Sequence, residues 1–150
     1  MAALIATLSL LATGLLTGAE AAVALFIHPV LYRVPDLAHA TVAKPLAAKL
    51  GRVMPFWYAA SLLLAIAQAW TAWHAPARPL AVAAAVLLAL IVVLSIALPV
   101  PINNQIARLD PARLPANFLA LRRRWDLYHG IRVLLLVIVD VLLILAALRA

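Results

Sequence analysis

The sequence predicts an all-α integral membrane protein, in which four transmembrane helices form a bundle as a single domain of residues 1–150. Two observations predict this fold. Hydrophobic residues make up 68% of the chain and charged residues only 11%, whereas soluble domains are about half apolar and about a quarter charged. Four stretches are also long and apolar enough to cross a bilayer, which takes about 20 residues. These features exclude a soluble enzyme, a secreted module and a disordered chain.

The four spans follow from the stretches that lack charge, and we place them at residues 3–28, 53–74, 79–100 and 131–148. The start of the chain resembles a signal peptide, because Gly18-Ala19-Glu20-Ala21 is similar to a small-residue cleavage site. No Lys or Arg precedes this stretch, however, so the positive region of a signal peptide is missing. The first span is therefore predicted to be a retained helix.

The connections between spans differ in length. Residues 75–79 form a tight turn that predicts antiparallel neighbours. The two long connectors, Pro29–Arg52 and Pro101–Gly130, each have a helical pattern, and we predict a short interfacial helix in each, at 37–50 and 119–128. Asp36 is the predicted N-cap of the first. Pro99 and Pro101 predict a break in the third span, with non-helical backbone through Asn104.

The net charge of +7 is explained by topology, because Lys and Arg concentrate on cytoplasmic loops. Only Arg78 and Arg149 lie at the opposite end. We therefore predict a bacterial inner-membrane protein with cytoplasmic long connectors and both termini outside, which contacts anionic lipid headgroups and no nucleic acid. The basic residues on the cytoplasmic side are Arg33, Lys44, Lys49, Arg52, Arg108, Arg113, Arg122, Arg123, Arg124 and Arg132.

Several residue types have simpler explanations than function. The chain has no cysteine, which excludes disulfides, thiolate nucleophiles and zinc–cysteine sites. Gly14 and Gly18 predict close helix packing. Other residues are expected at the surface: His39 and His74 in water, Trp57, Trp70 and Trp73 in aromatic belts, and Arg122–Arg124 on lipid headgroups.

Polar residues inside the spans are costly and therefore predict a functional site. With 100° per residue, Thr13, Thr17 and His28 fall within about 80° of Glu20 on one helix face. On the last helix, one face carries His129, Arg132 and Asp140 together with Trp125. A third arc, on span two, consists of Tyr58, Ser61 and Gln68.

These faces predict a polar pocket at the cytoplasmic end of the bundle. Glu20 and Asp140 each lie eight residues deeper than the nearest cluster members, about 12 Å, and are expected at its floor. Their negative charges are expected to be removed by protonation, or to be compensated by contact with each other or with the polar groups of the pocket. Tyr58 and Tyr128 are also expected in the pocket, with Tyr128 beside His129. The remaining pocket residues are His28, Asn103, Asn104, Trp125, His129 and Arg132.

Three sequence elements carry a resemblance to a known family. They are the first span ending in His28-Pro29, the motif Pro99-x-Pro101-x-Asn103, and Trp125-x-x-x-His129-x-x-Arg132. Together they resemble the anthrone-oxygenase-like family of small four-helix membrane proteins. The resemblance covers essentially the whole chain. It implies Asn103, Trp125, His129 and Arg132 as family positions, although relatives often have Asn at position 129.

The resemblance implies an enzyme that oxidises a lipophilic, anthrone-like substrate of the polyketide type with molecular oxygen. Such chemistry needs a base, a stabiliser for oxyanions and a water-poor cavity. We expect His129 or His28 to be the base, with Arg132, Asn103 and Trp125 as stabilisers. No cofactor is required for this scheme.

Three alternatives remain open from the residues. His28, His129 and a carboxylate such as Glu20 or Asp140 are a ligand set for iron or copper in a metal-dependent oxidoreductase. Glu20 alone also suits a proton-coupled transporter, especially one with Glu20 at the interface of a homo-oligomer. The third alternative is a non-catalytic membrane subunit.

Overall fold

A computed structural model describes residues 1–149. These residues form helices joined by short connections, and they include no strand. The helices are α1 (Ala2–Ala22), α2 (His28–Leu31), α3 (Asp36–Thr71), α4 (Arg78–Ala97), α5 (Pro99–Arg108) and α6 (Phe118–Ala147). Four helical segments are long and apolar enough to span a membrane: Ala2–Leu31, α3, α4 and α6. The predicted all-α fold and the integral membrane character are confirmed.

A π-helical turn at Val23–Ile27 joins α1 to α2 without a break. Pro29 explains this wide turn, because proline has no amide hydrogen and its ring clashes with the carbonyl four residues earlier, that of Leu25. The wider turn carries one extra residue. As a result, Glu20 and His28 both contact α6, although they lie on opposite sides of the turn.

The predicted connector helices exist, but they are not separate interfacial elements. Residues 37–50 belong to α3, which continues through Pro45 and Pro55 to Thr71. Residues 119–128 belong to α6, which begins at Phe118 and passes Gly130 without interruption. Packing explains the continuity, since α3 lies against α1, α4 and α5, and α6 lies against α1, α4 and α5. Tertiary contacts of this kind override the local cost of a proline or glycine.

The helix break that the prolines predict occurs at Leu98, one residue before them. Leu98 has φ −112° and ψ −71° and separates α4 from α5. Residues 99–104 are helical, so the prediction of non-helical backbone there is wrong. Pro99 and Pro101 lie in the first turn of α5, where amide hydrogens have no helical partner and proline is tolerated.

Three apolar clusters hold the bundle together. The central one contains the fully buried Leu16, Leu88, Ile91, Leu136 and Leu143. A second cluster lies at the connector end, around Ile106 and Phe118, and a third joins small alanines at the end where α1 begins and α6 ends. Gly14 and Gly18 are exposed, and no atom within residues 1–149 comes within 4 Å of a Cβ built on either. The predicted packing role for these glycines is not met inside this chain.

Candidate functional site

Glu20 is the centre of a buried polar network that joins three helices. Only 3% of its surface is exposed. Its Oε2 lies 2.7 Å from Nη2 of Arg132 and 3.0 Å from Nδ1 of His129, both on α6. The Tyr58 hydroxyl on α3 donates to Oε1 across 3.0 Å. A carboxylate inside a membrane bundle thus has a cation and a hydroxyl donor as partners, with an imidazole nitrogen in contact, as such a costly group requires.

The backbone of Glu20 fixes the proton position on His129. Nε2 of His129 lies 3.0 Å from the Glu20 carbonyl oxygen, which can only accept a hydrogen bond, so Nε2 carries hydrogen. Nδ1 then has a free lone pair and accepts from Arg132 Nη2 across 2.9 Å. This nitrogen is also within reach of Glu20 Oε2, so the carboxylate and the imidazole can share a proton.

The network forms one wall of a cavity of about 160 Å³ between α1, α3, α4, α5 and α6. Most of the cavity surface is apolar, from residues such as Met54, Val92 and Ile96. Such a mixture of apolar walls and a few convergent polar groups is typical of small-molecule sites. The polar residues that line it are Glu20, Tyr58, Ser95, Asn103, Asn104 and Arg132, with Trp125 beside them.

Gly51 allows Asn103 to approach α3. The Nδ2 of Asn103 donates to the carbonyl of Ala47 across 3.0 Å. A Cβ on Gly51 would lie only 3.0 Å from that nitrogen. Gly51 therefore keeps the α3–α5 contact, and the wall of the cavity, in place.

Gly51→Ala and Gly14→Ala form a matched pair. Alanine stabilises an exposed helix position by about 1 kcal/mol relative to glycine, and we expect Gly14→Ala to show this gain because nothing surrounds that position. In Gly51→Ala the same gain is offset by displacement of Asn103, with loss of a hydrogen bond worth about 1 kcal/mol. Thermal unfolding in detergent measures the difference. Equal stabilisation of both variants would contradict the described contact.

A second polar network of the same composition lies nearer the connectors. Nδ1 of His28 lies 2.8 Å from Oδ1 of Asp126, and Nη2 of Arg122 lies 3.2 Å from the other His28 nitrogen. The Tyr32 hydroxyl donates to Oδ2 of Asp126. Burial and the bond to this carboxylate raise the pKa of Tyr32 above its usual range, so its hydroxyl stays a donor. Each network thus combines a carboxylate, a histidine, an arginine and a tyrosine.

Trp125 separates the two networks and contacts both. Its indole stacks on the His129 ring with 4.6 Å between centroids and an interplanar angle of 19°. The His28 ring meets the same indole edge-on at 4.9 Å. Trp125 lines the main cavity and neither histidine does. His28 lines a smaller adjoining space, which shares Asn103 and Trp125 with that cavity.

The structure places the predicted site residues in two groups. Glu20, Tyr58, Asn103, Asn104, Trp125 and Arg132 line the cavity, whereas His28 and His129 do not and instead support it. Tyr128 lies at a neighbouring cavity and accepts a hydrogen bond from Arg124. Asp140 is half-buried, lines neither of these cavities, and its Oδ1 has no partner within residues 1–149. It does not share the floor with Glu20.

Three residues that the sequence assigned to the surface, or left unassigned, are part of the site region. Arg122 is 3% exposed, so its predicted place on lipid headgroups is wrong. His39 is 1% exposed between the rings of Tyr32 and Phe118, so its predicted exposure to water is wrong too. Asp126 was not singled out. Its position four residues after Arg122 could have indicated this ion pair, because such a spacing places both side chains on one helix face.

The surface predictions hold for other residues. His74, Trp70 and Trp73 are exposed, and Arg78 lies over the Trp73 ring at 3.5 Å. Trp57, in contrast, is half-buried against the central cluster and donates its indole hydrogen to the carbonyl of Ala12, so its predicted surface position is not met.

The three-ligand metal site proposed from the sequence does not fit this geometry. Both nitrogens of His28 are engaged by Asp126 and Arg122, and His129 and Glu20 are bonded to each other. Within residues 1–149, no group of three or more His, Asp and Glu side chains is arranged to hold a metal ion.

A second cavity, of about 140 Å³, lies between α4 and α6 on the lipid-facing side. Its lining is almost entirely apolar, and it includes the exposed Leu94 and Ile131. Ser95, Pro99 and Arg132 line both cavities. The two spaces are therefore neighbours that share the Arg132 side chain.

Comparison with known proteins identifies the family. No curated protein and no solved structure matches the chain. The family model for anthrone oxygenase matches residues 45–142, more than half of the chain. The match includes Tyr58, Asn103, Trp125 and Arg132 of the cavity, whereas Glu20 and His28 precede it, so it is narrower than the predicted whole-chain resemblance. With four membrane-spanning helices and this match, the chain belongs to the anthrone oxygenase family.

Proposed function

We propose that the protein is a membrane-embedded oxygenase that oxidises a lipophilic, anthrone-like substrate with molecular oxygen in the cavity beside Glu20. One observation carries this proposal: a carboxylate, a guanidinium and a phenol converge on an apolar cavity inside a membrane bundle of this family. The apolar walls suit a flat aromatic substrate, and the polar wall suits the charge that forms during its deprotonation.

Glu20 takes the role of the base in this proposal, in place of His129 or His28. The reason is position, because a general base must reach the proton that it removes. Glu20 lines the cavity, and neither histidine does. His129 then acts as a positioning residue that holds the carboxylate and shares its proton through Nδ1.

The substrate and molecular oxygen are the only reactants that the proposed reaction needs. Glu20 removes a proton from the acidic methylene, which leaves a carbanion delocalised onto the carbonyl oxygen. The carbanion carbon forms a bond to oxygen, reduces it to a peroxide, and the peroxide takes the proton back from Glu20. Removal of the second C–H proton breaks the O–O bond, which converts the methylene to a carbonyl and releases hydroxide. The hydroxide leaves as water after it takes the second proton from Glu20.

Arg132 and Tyr58 are placed to stabilise the enolate oxygen. Both side chains donate hydrogen bonds to Glu20, across 2.7 and 3.0 Å. They therefore lie next to the proposed base. Asn103 and Asn104 also line the cavity and carry amide groups. Removal of one donor from such a site lowers kcat by about 100- to 1000-fold in well-studied enzymes.

The lipid-facing cavity between α4 and α6 provides the route by which the substrate enters. It opens beside exposed Leu94 and Ile131 and reaches Arg132, which also lines the main cavity. A substrate dissolved in the bilayer would thus meet Arg132 first with its polar oxygen.

An oxygen electrode tests the proposed activity on protein reconstituted in lipid vesicles. We expect consumption of one O2 for each anthrone oxidised, with the anthraquinone as product. The rate must exceed that of protein-free vesicles, in which anthrones oxidise slowly without help. Equal rates with and without protein would contradict the proposal.

We also propose that the long connectors face the cytoplasm of a bacterial inner membrane and that both termini lie outside. The charge asymmetry supports this orientation. A fluorescent protein that matures only in the cytoplasm, fused after residue 150, should stay dark. Bright cells would contradict this orientation. The turn between the second and third spans lies on the same side as the C-terminus in either orientation, so a second fusion placed there should give the same result.

A further inference from the structure

A row of buried polar side chains continues from Glu20 along α1, away from the connectors. Ser9, Thr13, Thr17 and Glu20 are spaced by four, four and three residues, which places them on one helix face. Their exposed fractions are 0%, 0%, 8% and 3%. Together they cover about 16 Å of helix length, half of the hydrocarbon core.

A matching row lies on α3, which packs against α1 in the opposite direction. It consists of Tyr58, Ser61 and Gln68, which are all buried. The two rows meet at the hydrogen bond that the Tyr58 hydroxyl donates to Glu20. Gln68 marks the far end, where its Nε2 donates to the carbonyl of Leu143.

Among the described residues, three of the four serine and threonine hydroxyls in these rows lack the hydrogen bond that helical hydroxyls usually make, as does Ser95 outside the rows. Thr7, Thr41 and Thr71 donate to a backbone carbonyl three or four residues earlier, as hydroxyls in helices usually do. Thr13 does the same. The buried oxygens of Ser9, Thr17 and Ser61 have no partner within residues 1–149, and neither has Oε1 of Gln68.

Unpartnered polar atoms are expensive in this environment. Inside a bilayer each costs several kcal/mol, and buried polar groups without a protein partner are normally bound to water. Four such atoms on two adjacent helices therefore indicate ordered water between α1 and α3.

A cavity at the Gln68 end of the α3 row offers space for water. It has a volume of about 110 Å³ and is lined by Gln68, Thr71 and small residues that include Ala2, Ala6 and Ala146. A cavity holds a water molecule from about 10–15 Å³ upward by this kind of measure. Gln68, whose side chain is only 4% exposed and whose Oε1 has no partner within residues 1–149, belongs to its lining.

We propose that a file of water molecules runs between α1 and α3 and connects Glu20 to the cavity at Gln68. Thr17, Ser61 and Ser9 provide its hydrogen-bond partners along the way. Through this file Glu20 exchanges protons with the side of the membrane on which the chain termini lie. The inference goes beyond the proposed oxygenase activity, and its test needs no substrate.

The absence of cysteine in the natural sequence allows a direct test by single substitutions. Cysteine is close to serine in size, and its thiol ionises only where water or charge stabilises the thiolate. We would compare Ser9→Cys and Ser61→Cys with two controls in vesicles. Ala84→Cys places the thiol in the apolar core of α4, and Thr7→Cys places it on the exposed face of α1 toward lipid.

Silver ion, which is small and reacts with thiolates, serves as the probe. Unreacted thiols are counted after denaturation with a fluorescent maleimide. We expect Ser9→Cys and Ser61→Cys to react at least ten times faster than both controls. Rates equal to that of Ala84→Cys would overturn the proposal. The two serines lie on different helices, so either variant decides the question if the other does not fold, and gel filtration checks the fold of each.

Discussion

Glu20→Gln is expected to lower oxygen uptake with an anthrone by at least about 100-fold, since a positioned general base contributes about 10²- to 10⁴-fold to rate. The amide keeps the size of the side chain and can still accept from Tyr58 and Arg132, but it cannot take up a proton. The loss should therefore appear in kcat. Uptake is measured in vesicles at saturating substrate, with the protein-free rate subtracted.

Two controls separate the loss of the base from damage to the fold. Asp110→Asn changes an exposed carboxylate on the connector and should leave uptake unchanged. Thermal unfolding of Glu20→Gln reports any weakening of the Arg132 contact. A folded Glu20→Gln variant with full activity would remove Glu20 from the reaction and return the histidines as candidates for the base.

Arg122→Ala is expected to destabilise the protein by about 3 kcal/mol, because removal of one partner from a buried ionic group leaves the others without compensation. Arg122 is 3% exposed and contacts both His28 and Asp126. Its guanidinium also lies 5.1 Å from the centroid of the Trp125 ring. Thermal or denaturant unfolding in detergent measures the change.

Arg123→Ala provides the matched control. Arg123 is the next residue in the chain, has the same side chain and is exposed. Exposed charges contribute between about 0 and 1 kcal/mol, so we expect almost no change. If the two variants are equally stable, Arg122 lies at the lipid surface, as the sequence had indicated.

The membrane spans could be predicted because the cost of charge in lipid acts on every residue of a span. The stretches without charge therefore marked the helices. A short turn separates α3 from α4 as predicted, although it spans residues 72–77 and not 75–79. The ends of the spans could not be predicted in the same way. Residues 37–50 are polar enough for a separate surface helix, and only their packing against α5 shows that they continue into α3.

The cavity was predicted in part. Helix periodicity placed Glu20 and Arg132 on inward faces, and the structure joins them at 2.7 Å. The same calculation places Asp140 on the face of Arg132. Its buried Oδ1, however, has no hydrogen-bond partner within the described residues. Arg122 was missed because a run of three arginines looks like a headgroup contact, and nothing in the run itself shows which one turns inward.

The π-helical turn at Val23–Ile27 has a consequence for how this chain tolerates changes in length. Each residue removed from a regular helix rotates everything beyond it by 100°. Removal of one residue within 23–27 would instead convert the wide turn to an ordinary one, and Glu20 and His28 would keep their common direction. A one-residue deletion between Thr13 and Glu20 would instead turn Ser9 and Thr13 by 100° away from the direction of Glu20. The first helix thus contains one segment in which a shorter relative could preserve both polar networks.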